Sequence, residues 1–558
     1  MPPLTSKAPP HLFATPALRV SRPAPWRAWL LVLCLSLCAV PQGFAQGAAT
    51  TETLRLDILE FAVEGNTVLT TEEVERAVYR FLGEGRSVAD IEAASNALQQ
   101  VYRERGYGNV TVDIPEQRAD GGVITLRVLE GRIARTRVTG SRYFSQGYIL
   151  EKVASAVEGT VPHFPTLQAE LGTVNRTADR RVLPVLRPGR EPGTTELDLA
   201  VEDKLPLHGS VGLNNQAGAN TSATRLSAAL RYENLWQRDH SLGLQLVLSP
   251  EKTSEVQVLS ASYNLPQGTV GQDALTFSFT QSNSEVAVGV AGTTVFGKGR
   301  IWGLRRSLTL ELKATEFHIL TVGADYKDFD ETIEAAESQG FSTPIRYLPL
   351  SASYLGGWAD ASGPGRWQTG AALSLGVRGL VNREAEFQQK RFRASGSYSL
   401  LKFDLTREQP LPWWSSTLRA RVDMQLSNEA LISNEQFVVG GADSVRGYLE
   451  SAAVGDRGLR ASLEWQTRNL APLWADIGWA KWLQSATSHV FAEGAGVWLK
   501  HPLPGQQRRF GLLSAGVGLR LKAASGFSLA LDLGVPLRDL GTSKSGEPRL
   551  HASGSFDF

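Results

Sequence analysis

Residues 205–558 alternate between apolar and polar or small side chains, and this pattern constrains the fold more than any other feature of the chain. Within 527–535 (FSLALDLGV), every odd-numbered residue is apolar and every even-numbered residue is polar or small. Segments 241–248 (SLGLQLVL) and 459–465 (LRASLEW) follow the same rule with few exceptions. Side chains of a strand point alternately to its two faces. Each segment therefore predicts a β-strand with one apolar and one polar face.

Such a run of strands leaves two folds open: a water-soluble sandwich, and a membrane barrel whose apolar face contacts lipid. The length of the run, turn sequences such as 266–268 (PQG), and a C-terminus ending on Phe556 and Phe558 favour the barrel. Only a closed barrel bonds the backbone groups of all its strands within lipid. At about 22 residues per strand and connection, we expect an all-β transmembrane barrel of roughly sixteen antiparallel strands over residues 205–558.

Residues 1–45 predict a signal peptide. They carry four basic residues and no acid, and their apolar run (28–40) is too short to cross a bilayer as a helix. We expect cleavage before Gln46; a retained anchor and a lipoprotein modified at Cys38 are the alternatives. Because Cys34 and Cys38 are the two cysteines of the chain, the mature protein is expected to lack disulfides and thiolate metal sites.

Residues 55–204 contain an internal repeat. The sequence VEGN at 63–66 returns as VTGS at 138–141, and each copy has the pattern strand, helix, helix, strand, strand. In the first copy, Thr70 and Glu73 predict a capping box, and Ser87 is the predicted start of a second helix. The repeat predicts two small α+β domains of βααββ order.

Several sequence runs resemble a known family. A βααββ repeat before a membrane barrel resembles the polypeptide-transport-associated (POTRA) domain, and 175–189 (NRTADRRVLPVLRPG) with 195–199 (TELDL) resembles the second POTRA of haemolysin-activator proteins. The runs 231–236 (RYENLW) and 260–268 (SASYNLPQG) resemble early barrel hairpins of the same two-partner secretion transporters. The resemblance implies POTRA domains at 55–131 and 132–204; two unrelated small domains are the alternative.

Members of that family often carry an N-terminal helix that plugs the barrel. Here residues 46–54 are expected to form a short linker, whereas a plug across the core would need about 20 helical residues. We therefore expect no plug helix in this chain, and a folded-in loop would have to restrict the pore alone.

The strongest local signal lies at 436–448 (QFVVGGADSVRGY), followed by 455–458 (GDRG). It resembles the conserved loop of two-partner secretion transporters and of their barrel-assembly relatives. In the family this loop folds into the lumen and sets its arginine against acidic groups of the wall. By resemblance, the loop tip consists of Val445, Arg446, Gly447 and Tyr448, and the post-loop motif contains Gly455 and Asp456. An ordinary extracellular hairpin with an exposed arginine is the alternative.

The arginine's partner in the family lies in a strand motif of phenylalanine, any residue, aspartate, any residue, glycine. The nearest match is 491–496 (FAEGAG), with Phe491, Glu493 and Gly496. Glutamate replaces aspartate, and the glycine comes one position late. We predict that Arg446 pairs with Glu493, since the planar guanidinium can hold a carboxylate through two parallel hydrogen bonds.

The resemblance implies an outer-membrane translocator with periplasmic POTRA domains that bind an unfolded partner polypeptide and secrete it without ATP. A barrel-assembly factor and a passive porin are the alternatives. Expected partners are the secreted polypeptide, outer-membrane lipid and the barrel-assembly machinery. Nucleic acid is not expected, because 57 Lys and Arg balance 56 Asp and Glu.

No enzyme activity, cofactor or metal site is predicted. The run 292–298 (GTTVFGK) imitates a phosphate-binding loop, but Gly299 stands where such a loop needs serine or threonine, and no helix pattern follows. We interpret it as a glycine-rich barrel turn.

Overall fold

The computed structural model describes residues 55–558 except 220, 269–272, 285–287, 291–292, 296, 314, 336–337 and 475. The predicted signal peptide, the linker and the expected absence of a plug helix concern residues 1–54 and lie outside this part. Among the described helices, none combines the length and the apolar character that a membrane crossing requires.

The first α+β domain follows the predicted order with two additional strands, because the first predicted strand is divided in two and a further strand lies between the helices. Its elements are β1 (Arg55–Ile58), β2 (Glu60–Glu64), α1 (Thr71–Val78), β3 (Gly83–Ser87), α2 (Val88–Glu104), β4 (Thr111–Asp113) and β5 (Val123–Leu129). β5 lies between β2, which is parallel to it, and β4, which is antiparallel. Thr70 caps α1: its hydroxyl accepts the N–H of Glu73 at 3.3 Å, and its N–H donates to the Glu73 carboxylate at 3.0 Å. The predicted capping box is confirmed.

The second α+β domain repeats this topology. Its elements are β6 (Arg132–Thr139), α3 (Gln146–Lys152), α4 (Phe164–Val174), β7 (Arg180–Pro188) and β8 (Thr194–Asp203). Here β8 is central, with β6 parallel and β7 antiparallel to it. The sequence pattern predicts a helix over 146–157, whereas α3 ends at Lys152, and beyond its end the Ser155 hydroxyl donates to Glu170 of α4 at 2.5 Å. Two equivalent sheets are what the internal repeat predicts.

The described residues that follow form strands and loops with one short α-helix and a few single turns of 3₁₀ helix. In chain order these are β9 (Leu207–Asn214), β10 (Arg225–Leu235), β11 (His240–Leu248), β12 (Val256–Gln267), β13 (Asp273–Ser284), β14 (Val288–Val290), β15 (Thr293–Val295), β16 (Gly299–Leu312), β17 (Glu316–Ala335), β18 (Ser338–Tyr347), β19 (Pro349–Ala359), β20 (Arg366–Gly376), α5 (Glu384–Lys390), β21 (Tyr398–Leu411), β22 (Ser416–Ser427), β23 (Phe437–Val439), β24 (Ala453–Gly455), β25 (Arg457–Gln466), β26 (Leu483–Trp498), β27 (Arg509–Ala523), β28 (Phe527–Pro536) and β29 (Arg549–Asp557).

These strands close into an antiparallel barrel. β18 and β19 are separated by Leu348 and pair with successive parts of β17, so together they act as one strand of the wall. Counted in this way, the barrel has sixteen strands. The pairs β14–β15 and β23–β24 are short hairpins within loops. The predicted fold class and strand number are confirmed.

The two faces of the barrel wall differ as the alternation predicts. On one face, the residues that lie opposite one another on neighbouring strands are apolar: Leu226 of β10 lies opposite Leu213 of β9 and Leu248 of β11. This face is open to the surroundings, since Leu213 is 52 % exposed. On the other face, Asp423 opposes Arg460. Exposed leucines fit a surface bathed in lipid, whereas the charged face lines a lumen.

The first and last strands close the ring. Asn215 extends their ladder at one end, where its amide donates to the Leu550 carbonyl at 2.8 Å and accepts the Ala552 N–H at 2.8 Å. At the other end Gly209 and the C-terminal Phe558 exchange two backbone hydrogen bonds of 2.9 Å. The Phe558 ring covers Gly209, where a Cβ would collide with it. Phe558 is therefore part of the barrel wall.

Candidate functional site

The segment between β22 and β25, residues 428–456, is called the motif loop here. Its strands β23 and β24 pair and form a neck. Directly after β23, Gly440 and Gly441 adopt φ values of +104° and +105°. Beyond the neck, Val445 and Tyr448 are fully buried and Arg446 is 4 % exposed. The tip of the motif loop thus lies inside the barrel, and its arginine does not face solvent.

Arg446 is surrounded by carboxylates from three strands of the wall. Its Nη2 donates to Glu493 Oε1 of β26 at 2.8 Å and to Glu464 Oε2 of β25 at 3.1 Å, and its Nη1 donates to Asp532 Oδ1 of β28 at 3.2 Å. The guanidinium carbon lies 3.5 Å from the centroid of the Phe491 ring, a cation–π contact. One side chain therefore ties the loop tip to several strands at once.

The Arg446–Glu493 contact differs from the expected fork of two parallel bonds. Both Nε and Nη2 donate to Glu493 Oε1, while Glu493 Oε2 accepts the backbone N–H of Arg446 at 2.7 Å. Because this N–H occupies the second oxygen, the guanidinium is free to reach the other acids. The longer glutamate side chain thus holds both the backbone and the side chain of the tip.

Further basic side chains contact the acids around Arg446. Arg520 of β27 donates to both oxygens of Glu464, at 2.6 and 3.0 Å. His489 Nε2 lies 2.5 Å from Asp532 Oδ1 and 3.2 Å from Arg446 Nη1. A buried network of this kind is stable only when every member keeps its partners.

Gly447 allows the tip to approach the wall. It has φ +94°, and its N–H donates to His551 Nε2 of β29 at 2.9 Å. A Cβ at Gly447 would lie 3.0 Å from the carbonyl carbon of Gly534. The Tyr448 hydroxyl lies 2.9 Å from the Arg538 carbonyl oxygen, which fixes the far side of the tip.

Glycines of the wall make room for this tip. A Cβ at Gly534 would lie 2.5 Å from the Gly447 nitrogen. A Cβ at Gly516 would collide with the Phe491 ring, and one at Gly518 with Asp532 and His489. The wall is therefore shaped to receive the loop, a signal visible in the sequence only as scattered strand glycines.

Replacing Gly534 with alanine is expected to unseat the loop tip, because the new methyl group occupies the place of the Gly447 backbone. We expect faster cleavage of the motif loop by protease and a larger single-channel conductance than in the wild type. Gly554→Ala is the matched control, since the nearest atoms to its Cβ lie 3.8 Å away. Equal protease sensitivity of the two variants would contradict this packing.

Asp456 of the post-loop motif forms a second anchor at the base of the loop. It is fully buried and accepts hydrogen bonds from the N–H of Leu431 at 2.8 Å, the N–H of Lys500 at 2.6 Å, and both terminal nitrogens of Arg391. Arg391 belongs to the loop that carries α5, and Lys500 follows β26. One carboxylate therefore joins three loops.

A third anchor holds the start of the motif loop against the opposite wall. Glu435 Oε1 lies 2.5 Å from Lys327 Nζ of β17 and accepts the hydroxyl of Tyr347 at 2.8 Å. Phe387 of α5 packs against Tyr347 with ring centroids 5.6 Å apart. The motif loop thus crosses the lumen between walls, and the helix-bearing loop packs beside it.

The two predicted glycines, Gly455 and Gly496, lie away from the arginine network. Gly455 approaches the backbone of Trp498, which a Cβ would meet at 2.9 Å. Gly496 lies on the opposite face of β26 from Glu493, because the two differ by an odd number of positions. Its Cβ would meet the Trp498 ring at 2.9 Å, so Gly496 does not contact the arginine network.

Beside the tip lies a polar cavity of about 290 Å³. Charged side chains of both signs line it, including Arg419, Arg421, Arg460 and Asp443. Such a lining suits water and a passing polar chain better than an apolar ligand. The site as a whole can restrict the lumen and release it when the tip moves.

Two groups among the described residues could in principle hold a metal ion: Asp179, His208 and Glu233, and Glu311, Glu316 and His318. Both already contain counter-charges. Lys204 Nζ lies 3.2 Å from Asp179 Oδ1, and Lys313 binds both glutamates of the second group. We interpret both as ion-pair clusters; sequence spacing did not indicate either.

Comparison with protein families identifies the chain. Residues 193–500, more than half of its length, match the model described as "Haemolysin secretion/activation protein ShlB/FhaC/HecB". The chain belongs to this family. Residues 56–131 match the "POTRA domain, ShlB-type". The family consists of two-partner secretion transporters rather than enzymes, so this member is an outer-membrane translocator with periplasmic POTRA domains.

Relatives agree with this membership. The "Outer membrane transporter CdiB" of Escherichia coli O6:K15:H31 (strain 536 / UPEC) is 25% identical over 443 residues, covering 76% of this chain and 71% of that protein. Two solved structures share the fold: CdiB from Escherichia coli (TM-score 0.56, 19% identity, 92% of this chain and 93% of that one) and BamA from Haemophilus ducreyi lacking POTRA domains 1–3 (0.55, 13%, 91% and 100%).

Proposed function

We propose that this family member binds one unfolded exoprotein with its POTRA domains (55–131 and 132–204) and secretes it through the barrel (205–558) without ATP. The observation that carries the proposal is the motif loop, held across the lumen by the Arg446 network. A translocator needs a lumen that is closed at rest and opened by its passenger, and a loop anchored by ion pairs can serve both states. Folding of the passenger outside the cell would make its return unfavourable.

The two POTRA domains differ in how they can receive an extended chain. On β7, one of the two outer strands of the second domain's sheet, the Val182 N–H donates to the side chain of Asn175 at 2.6 Å, and that side chain donates to the Val182 carbonyl at 2.9 Å. The N–H groups of alternate residues in a strand point to the same edge. Of the next three residues of β7 that share the edge of the Val182 N–H, two are prolines, Pro184 and Pro188, which have no N–H.

An edge so covered cannot add another strand readily. On β6, the other outer strand, both backbone groups of Ile133 are already bonded, to Thr160 and Gly159. We therefore assign strand addition to the first POTRA domain, or recognition to a groove beside a helix. Outer-membrane lipid around the leucine face and the barrel-assembly machinery during insertion complete the proposed partners.

The two rival functions find less support. A barrel-assembly factor is suggested by the likeness to BamA, but at 13% identity that likeness concerns the fold alone. A passive porin would have no use for two POTRA domains or for a loop anchored at three places.

Deleting the gene is expected to remove one large exoprotein from the culture medium, with its precursor degraded in the periplasm. Quantitative proteomics of medium, periplasm and outer membrane would measure this, with the wild-type gene restored as the control. Depletion of many outer-membrane proteins would instead indicate an assembly factor, and an unchanged secretome together with reduced solute uptake would indicate a porin.

A further inference from the structure

We propose that Arg180 and Asp239 are positioning residues that fix the second POTRA domain at one orientation on the mouth of the barrel. The inference rests on the proposed function in one respect, namely that a passenger moves from this domain into the lumen. Their contact, with the neighbouring residues described below, is called the joint.

Arg180, the first residue of β7, is enclosed by protein. Its side chain is 0% exposed, and its Nη1 and Nη2 bind the two oxygens of Asp239 at 3.1 Å each. Asp239 lies in the periplasmic turn between β10 and β11. The guanidinium carbon also lies 4.5 Å from the centroid of the Phe144 ring and 5.4 Å from that of Tyr148. This is a two-bond arginine–carboxylate pair between the domain and the barrel.

Tyr148 of α3 strengthens the same contact. Its hydroxyl donates to Asp239 Oδ2 at 2.5 Å. Burial, and next the Asp239 carboxylate, raise the pKa of Tyr148, so the hydroxyl stays protonated and remains a donor. Asp239 is thus held by a charged and a neutral group of the POTRA domain at once.

The turn that presents Asp239 has a strained backbone. Trp236, Gln237 and Asp239 have φ values of +61°, +56° and +56°, a region that residues other than glycine rarely adopt. The POTRA domain holds this conformation: the Ser145 N–H donates to Gln237 Oε1 at 2.8 Å, and the Gln237 amide donates to the Tyr143 carbonyl at 3.1 Å. Strain of this kind persists where the surroundings over-determine it.

A second contact lies beside the first, so the domain cannot swing about a single point. Asp179 is 1% exposed, and its Oδ2 lies 2.7 Å from Nε2 of His208 on β9. β8 ends at Asp203 and β9 begins at Leu207, which leaves a very short connection. The haemolysin-activator run around 175–189 and the first barrel hairpin therefore meet at the joint.

The experiment uses the full-length protein with spin labels at Glu151→Cys in α3 and Ser362→Cys in the exposed turn after β19; the predicted mature chain has no other cysteine. Asp239→Asn removes the charge but suits the turn, since asparagine tolerates positive φ. Asp360→Asn is the matched control, because Asp360 also holds an arginine, Arg407 of β21, at a periplasmic turn.

In Asp239→Asn we expect a broadened distribution of label distances and roughly tenfold less secreted passenger, with the same amount of folded barrel, because a buried arginine loses its charge partner. Arg180→Lys is expected to do the same, as lysine cannot form the fork. Asp360→Asn should match the wild type in both measurements.

An unchanged distance distribution in Asp239→Asn and Arg180→Lys would overturn the joint itself. A broadened distribution with normal secretion would overturn the positioning role. If the wild type secretes no passenger, the proposed function fails, whereas the distance measurement still decides whether the joint fixes the domain.

Discussion

Replacing Arg446 with glutamine is expected to open the barrel to ions and to abolish secretion of the passenger. The substitution leaves Glu493, Glu464 and Asp532 buried at the wall without their shared cation. Breaking a buried ion pair from one side costs about 3–5 kcal/mol, enough to lower the closed population at least a hundredfold at about 1.4 kcal/mol per factor of ten. Planar-bilayer conductance and a passenger secretion assay would measure the two effects.

Arg407→Gln is the matched control for this prediction. Arg407 also binds a carboxylate, Asp360, but at the periplasmic end of the barrel. It should leave conductance and secretion near the wild-type values. Glu493→Gln is expected to give a smaller leak than Arg446→Gln, since Arg446 then keeps two acids. Normal conductance in both site variants would rule out the network as the element that holds the lumen closed.

Replacing Asp456 with asparagine is expected to loosen three extracellular loops together. In asparagine, an NH₂ group replaces one of the two carboxylate oxygens. If it replaces Oδ2, the N–H donors of Arg391 and Lys500 that now bind this oxygen would face another donor. Removing one partner of a buried ion pair costs about 3–5 kcal/mol, and the Asp456 side chain is fully buried in its pair with Arg391. We expect rapid cleavage of these loops by protease added to intact cells.

Asp443→Asn is the control for that experiment, because Asp443 belongs to the same loop but is exposed. Among the described residues, its carboxylate accepts one side-chain hydrogen bond, from Gln216 at 3.2 Å. Its loops should resist protease as in the wild type. If Asp456→Asn were equally resistant, the shared carboxylate would not be what joins the loops.

The sequence predicts the fold of this protein better than its site. Alternation in segments such as 527–535 determines which face meets lipid, and capping by Thr70 is a local signal that survives in the structure. Both depend on neighbours along the chain. β3 escaped prediction because Gly83–Ser87 has little strand-forming character and owes its conformation to pairing with β1.

The site was predictable only where a family motif marked it. Arg446 and Glu493 lie in such motifs, whereas Glu464 and Asp532 stand in unremarkable polar positions of β25 and β28. Their convergence follows from the register of strands far apart in sequence, which alternation alone does not define. The same holds for Gly534, whose role becomes visible only beside Gly447.

The closure of the ring by Gly209 and Phe558 also determines when this protein can fold. Backbone bonds at this closure join residues up to 349 positions apart, so the barrel cannot close before β29 has been synthesised and exported. Contacts of such long range form slowly. Until then the leucine-bearing strands are exposed to water in the periplasm, and they must be kept from associating with one another until β29 pairs with β9.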